Sequence, residues 1–272
     1  MKNLIYLLLF AISWPSLAAR QFDIEVILFK RNIAPEQISE SWPDNQKPIN
    51  LKGAIDFGDT ARLQARGITP MPSSQFELNS QYSKLKQHAG FTPLAHFGWR
   101  QGDLSRAAAP RIHFTAGEDF SAQFSADGTV KSAQSSEPAD AQMDEGFSEE
   151  SLISAPDDSY AQEEASALRE LDGTLRVYVQ HFLFTEANFA LREPSRREII
   201  IGAEPLDPID GSLDTASNVQ IGHLQEVQKQ VKVEEFLKAY QFQQQRKMRS
   251  GETHYLDHPL MGMVIQIRRI DG

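Results

Sequence analysis

Cysteine is absent from the 272-residue chain. That removes thiol nucleophiles, iron–sulfur clusters, Cys-ligated zinc and any disulfide scaffold. Basic residues are also in deficit: 27 Lys and Arg stand against 37 Asp and Glu, for a formal charge of −10 and a pI near 5.2. Phosphate binding needs a concentrated basic surface, so no nucleic-acid partner is expected. Catalytic signatures are scarce too, with no GxSxG nucleophile elbow, no GxxxxGK(S/T) loop and no GxGxxG turn. A glycosidase needs only two carboxylates and no motif, so that class stays open. No apolar run reaches the ~20 residues of a membrane-spanning helix.

The longest apolar run lies at the start. Met1-Lys2 precedes Leu4–Ile12, broken only by Tyr6; Trp14-Pro15 follows, then Ser16-Leu17-Ala18. A short positive region, an apolar core and small residues before a cleavage point read as a signal peptide over 1–18. The competing reading is a retained anchor. Cleavage leaves a mature start near Ala19 or Arg20, in an exported protein with no membrane insertion. No Cys follows the run, so lipoprotein processing is not expected. A domain of this size can rely on its core without disulfides; the periplasm fits, and so does full secretion.

Charge is concentrated in one place. Residues 126–165 hold eleven acids against the single base Lys131, a net of −10 that equals the formal charge of the whole chain. Ser, Ala, Gln and Pro fill the remainder, too little apolar matter to offset the entropy of ordering. The stretch reads as a disordered linker between an N-terminal part, 19–125, and a β-rich C-terminal part, 166–272, of one domain. It either solvates the chain or tethers a basic partner.

Periodicity predicts an α+β fold, a largely antiparallel sheet with one or two packed helices. Gln21–Lys30 is apolar on both faces and reads as a central strand. Trp42-Pro43 and Gly53 mark a long loop. Ser74 is placed to cap a helix running to His88, with Gly90 closing it. Leu94–Arg100 and Arg111–Thr115 alternate as strands. Asp172-Gly173 reads as a turn, Thr174–Phe184 as one strand, and Thr185–Asn188 as a second turn. Phe189–Arg192, Glu198–Ile201 and Met261–Ile267 complete the strands; Phe236–Met248, ambiguous in its Gln-rich centre, reads as strand or helix, with the spacing of Phe236, Tyr240 and Phe242 favouring strand. Each half offers a thin core, so both are expected in one sheet.

The densest polar segment is Arg246–Pro259. Arg246, Arg249, Glu252, His254, Tyr255, Asp257 and His258 cluster around Ser250-Gly251, the tip of an expected hairpin with Glu252 facing an Arg. Two readings compete. The pairs lock the hairpin, or they form a groove for an anionic or sugar-rich ligand, since Arg forks bind carboxylates and aromatic rings stack on sugars. Trp99, next to Arg100, is either the floor of such a site or core. His254, Asp257 and His258 have metal-like helical spacing, but Pro259 disfavours the helix, so no metal or cofactor is expected. For a hydrolase the candidates are Glu25, whose burial would raise its pKa, and Glu252 with Asp257. Glu25 paired with an Arg is the competing reading.

Five segments carry a resemblance: RQFDIEVILFKR at 20–31, Trp42-Pro43, HFGWRQ at 96–101, LDGTLRVYV at 171–179, and RKMRSGETHYLDHPLMGMVIQI at 246–267. Together they resemble the CsiV family, proteobacterial periplasmic proteins associated with cell-shape integrity. The resemblance covers nearly the whole mature chain outside the acidic stretch. It implies peptidoglycan binding without catalysis, in support of cell-wall synthesis. It also implies an adaptor's place beside an outer-membrane lipoprotein activator of a bifunctional penicillin-binding protein. It transfers no ligand residues.

Overall fold

In the computed structural model, residues 20–44, 46–131, 168–201 and 230–270 are described. The expected signal peptide, 1–18, and residues 132–165 of the acidic stretch lie outside them. Among the described residues one unit draws on 20–120, 169–192 and 239–270, and a second on 121–131, 168, 193–201 and 230–238.

Strand β1 (Gln21–Arg31) sits at the centre of a five-stranded sheet, as its two apolar faces predict. The order is β3 (Ile68–Pro70), β4 (Phe91–Gly102), β1, β10 (Met261–Ile270) and β9 (Thr253–Asp257), with antiparallel neighbours throughout. On one face Phe22, Ile24, Val26 and Leu28 enter the main core. On the other, Ile27 and Phe29 meet Leu78, Tyr82 and Leu85 of helix α2 (Asn79–Gln87) and its N-cap. Burying each such side chain contributes roughly 1.5–3 kcal/mol.

A second five-stranded sheet runs β2 (Ile55–Asp56), β5 (Ile112–Asp119), β6 (Arg169–Gln180), β7 (Phe182–Ile201) and β8 (Gln230–Met248). β2 joins β5 in parallel; β5–β6 and β6–β7 are antiparallel. Its apolar face, including Ile112, Phe114, Leu175, Val177, Phe189 and Phe242, shares the main core with the first sheet. The two halves of the chain therefore build two sheets rather than one, each containing strands from both sides of the acidic stretch.

Local readings are corrected in four places. Helix α2 starts at Asn79, not Ser74, whose neighbourhood is a short 3-10 turn, and Leu78 caps it without a side-chain bond. Just ahead of the helix, the Glu25 carboxylate on β1 accepts from the amides of Glu77 and of the N-cap Leu78, both at 2.8 Å. The helix ends at His88 with extended backbone, and Gly90 is not left-handed. Thr174–Phe184 is two strands reversing at His181, which takes φ +62°. Pairing is symmetric about His181, so Val179 and Leu183 both face inward and the reversal leaves the alternation intact. Asp172-Gly173 lies within β6: a Cβ at Gly173 would sit 2.3 Å from the Asn188 carbonyl oxygen, so this glycine serves close approach, not a turn. Thr185–Asn188 is likewise strand.

The short helix α1 (Thr60–Ala65) is capped by Asp59, which accepts from Arg62 N at 3.0 Å, and it buries Leu63. In the second unit, Asp127-Gly128 turns with Gly128 at φ +84°, and isolated bridges join Phe124 to Val130 and Thr129 to Phe236. Those residues open the acidic stretch. Arg196–Glu235 and Arg197–Glu234, each 2.9 Å, tie β7 to β8 there.

Candidate functional site

The residues selected from sequence do not form one constellation. Trp99, on β4, is 0% exposed and packs against Phe57 and Phe114. Its indole N–H donates to Gln101 Oε1 at 2.8 Å, and Gln101 donates to the Val177 carbonyl at 3.0 Å. It is a core residue joining the sheets and has no face for a sugar. Arg100 beside it holds Asp23 with two hydrogen bonds, at 2.7 and 3.0 Å.

The expected hairpin at Ser250-Gly251 is a crossover. Gly251 has φ +83°, and the turn leads from β8 in the second sheet to β9 in the first. Arg249, 81% exposed, lies a loose 3.6 Å from Glu252, and Arg246 is exposed near the C-terminal end of strand β8. Tyr255 and Asp257 share the opposite face of β9 from His254. Tyr255, 42% exposed, stacks 6.1 Å from Phe29, donates to Asp257 at 2.7 Å and accepts from Arg31 at 2.8 Å; Arg31 also pairs with Asp257. Burial and the neighbouring carboxylate push the Tyr255 hydroxyl's pKa up. Burial works against ionisation of Asp257, but Tyr255 and Arg31 hold its pKa below the usual value. His258 packs against Trp42 and Phe242, and burial lowers its pKa. Strand geometry sends His254 and Asp257 to opposite faces, so the metal-like spacing does not converge. Among the described residues no three His, Asp or Glu are grouped to hold a metal ion.

Glu25 has the wrong character for a general acid. It is fully buried, and its carboxylate meets His96 Nε2 at 2.7 Å, Arg268 Nη1 at 3.0 Å and the Glu77 and Leu78 amides. Burial alone would raise its pKa, but His96, Glu77 N, Arg268 and Leu78 N overcome that and hold it below the ordinary value. A general acid needs the opposite shift.

Sequence reasoning passed over a cleft of about 310 Å³ on the polar face of the second sheet. Strand alternation turns Thr174, Arg176 and Tyr178 of β6 to that face, and the β6–β7 register sets Glu186 opposite Arg176 and Asn188 opposite Thr174. Glu186 accepts from Arg176 Nε at 2.9 Å, Arg106 Nε at 2.8 Å and the Tyr178 hydroxyl at 3.2 Å. Gln245 donates to the Tyr178 oxygen at 2.9 Å. Arg111 donates to the Asn50 carbonyl at 2.8 Å. Gln243, Gln244 and Ala187 complete the lining. Burial opposes ionisation of Glu186, but Arg176 and Arg106 keep its pKa low. Farther along the face, His113 bridges Asp172 at 2.7 Å and Asp56 at 3.3 Å, and Arg192 holds Asp172 at 2.9 Å. The Asp172 bond holds the His113 pKa above its ordinary value.

A family model described as "Peptidoglycan-binding protein, CsiV" matches residues 3–270. The chain belongs to the CsiV family. No curated protein and no solved structure matches it. As a CsiV-family chain it carries a peptidoglycan-binding description, and the cleft's chemistry is of a matching kind. Three guanidinium groups against one carboxylate leave the lining at a net +2, although the chain as a whole is at −10. Neutral amides from Asn188 and the three glutamines add donors and acceptors suited to acetamido, peptide and hydroxyl groups. No local motif announces these residues. The one sequence signal is the regular return of polar side chains to one face of TLRVYVQ.

Proposed function

We propose that the chain is an exported, non-catalytic protein that binds peptidoglycan in the periplasm and supports cell-wall synthesis and cell shape. The observation that carries this reading is the match to a peptidoglycan-binding family over residues 3–270. The N-terminal pattern of Met1–Ala18 supports export, and no helix among the described residues is long and apolar enough to cross a membrane. The low pKa of Glu25 and its full set of partners speak for structure rather than acid catalysis. Peptidoglycan offers stem-peptide carboxylates, amides and sugar hydroxyls. Exposed guanidinium and amide groups bind these, and Arg246, Arg249 and Tyr255 remain available beside the cleft residues. The adaptor role next to a lipoprotein activator of a penicillin-binding protein rests on the resemblance alone.

The test is co-sedimentation of the mature protein with purified sacculi. The protein is expected in the pellet at low salt, with no muropeptides released at high protein concentration. Protein left wholly in the supernatant overturns the binding reading, and released muropeptides overturn the non-catalytic one.

A further inference from the structure

We infer that the cleft between β6, β7 and β8 is a carboxylate-binding subsite that takes the free carboxylate of a peptidoglycan stem peptide. The inference rests on the peptidoglycan-binding reading and adds where and through which group the ligand is held.

Glu186 lines the cleft. This carboxylate is shared by two guanidinium groups, so one positive charge there is left uncompensated. The second guanidinium belongs to Arg106, whose side chain is 57% exposed and which reaches Glu186 through Nε. Its two terminal nitrogens are in the planar fork that grips a carboxylate with two parallel hydrogen bonds. Both guanidiniums are already positioned: Arg106 and Arg176 each lie 5.9 Å from the centre of the Tyr178 ring. Tyr178 is itself held by Glu186 and Gln245 and stacked on Phe184 at 5.4 Å. A fork fixed in advance loses little side-chain entropy on binding.

Size and lining narrow the ligand. About 310 Å³ is at the small end of ligand cavities, enough for a peptide terminus and an adjoining residue but not for a glycan strand. Asn188 and Gln243 offer neutral amides at the sides of the cleft, which pair with peptide N–H and C=O groups. A net positive lining in an acidic chain also repels other cations and favours an anion by charge alone.

The experiment is calorimetric titration of the mature protein with a soluble disaccharide-tetrapeptide, set beside the same muropeptide with its carboxylates amidated. Arg106→Gln is the main variant, because Arg106 is exposed and its loss leaves Glu186 paired with Arg176. Arg106→Lys, which keeps the charge but not the fork, is the second. The expected result is at least tenfold weaker binding for Arg106→Gln and for the amidated ligand, with partial recovery in Arg106→Lys and an unchanged Tm. If the wild type sediments with sacculi but Arg106→Gln and the amidated muropeptide bind as tightly as their counterparts, the subsite is overturned while the wall-binding reading stands. If the wild type binds neither sacculi nor muropeptide, both fall.

Discussion

Glu25 and Arg268 meet at 3.0 Å from opposite ends of the chain, 243 residues apart, across the β1–β10 pairing. The same carboxylate touches His96 on β4 and the amides that open α2, so one buried side chain ties three elements together. Removing it strips the Glu77 and Leu78 amides of their acceptor and leaves Arg268 only Gln266 and a 3.4 Å contact to Glu77. Glu25→Ala is expected to cost roughly 3–5 kcal/mol. Urea unfolding monitored by circular dichroism measures this, and a change below about 1 kcal/mol would show that the network is dispensable.

Acid stability follows from the same group. The native pKa of Glu25 lies below its ordinary 4.5, so its ionised form is favoured in the fold. Its contribution is fully present above the unfolded pKa and is lost as pH falls through the lower native one. Asp172 and Glu186 are lowered as well, burial opposing and their Arg and His partners prevailing. The urea midpoint is therefore expected to fall steeply below about pH 4 as these carboxylates take up protons. Glu25→Gln is expected to flatten that fall.

Near neutrality two histidines act in opposite directions. His113 is raised above 6.5 by Asp172, so its stabilisation is present below 6.5 and lost as pH rises through the native value. His258 is lowered below 6.5 by burial, so stability is lost as pH falls from 6.5 through its native value. His113→Asn is expected to remove the decline on the alkaline side, and His258→Gln to remove the loss on the acid side. Histidine C–H resonances followed by NMR across pH 5–8 give both values directly.

Gly173 tests the corrected reading of β6. A methyl group there meets the Asn188 carbonyl oxygen at 2.3 Å and the Phe189 Cα at 2.5 Å, both backbone atoms of β7. Neither moves without disturbing the ladder, so Gly173→Ala is expected to destabilise by about 1–3 kcal/mol. A glycine at negative φ with open space around it would show a much smaller loss; Gly251 has open space but φ +83°, so an alanine there is strained through its backbone instead.

Trp99 and Arg249, both chosen from sequence as ligand residues, are expected to separate by Tm. Trp99→Ala opens a cavity between the sheets and costs about 3–5 kcal/mol. Arg249→Ala, at an exposed turn with a loose 3.6 Å contact to Glu252, leaves Tm unchanged. Equal melting of wild type and Trp99→Ala would place Trp99 outside the core.

Period-two patterns within the chain were enough to determine β1 as a doubly covered central strand and Met261–Ile267 as the closing strand, whereas Phe236–Met248 stayed open between strand and helix until the structure showed a strand. Composition alone marked the acidic stretch, and local motifs carried the family. These features depend on neighbours a few residues apart, which a sequence displays directly. The reversal at His181 escaped because it preserves parity, and the crossover at Ser250-Gly251 looked like a hairpin because its turn chemistry is the same. Tertiary structure decided the rest. Strand order and register alone bring Arg106 to Glu186 over 80 residues and Glu25 to Arg268 over 243, and they bury Trp99 while leaving Arg106 in the open. A polar residue on a strand reads the same whether it faces bulk water or a cleft, and only the pairing of distant strands distinguishes the two.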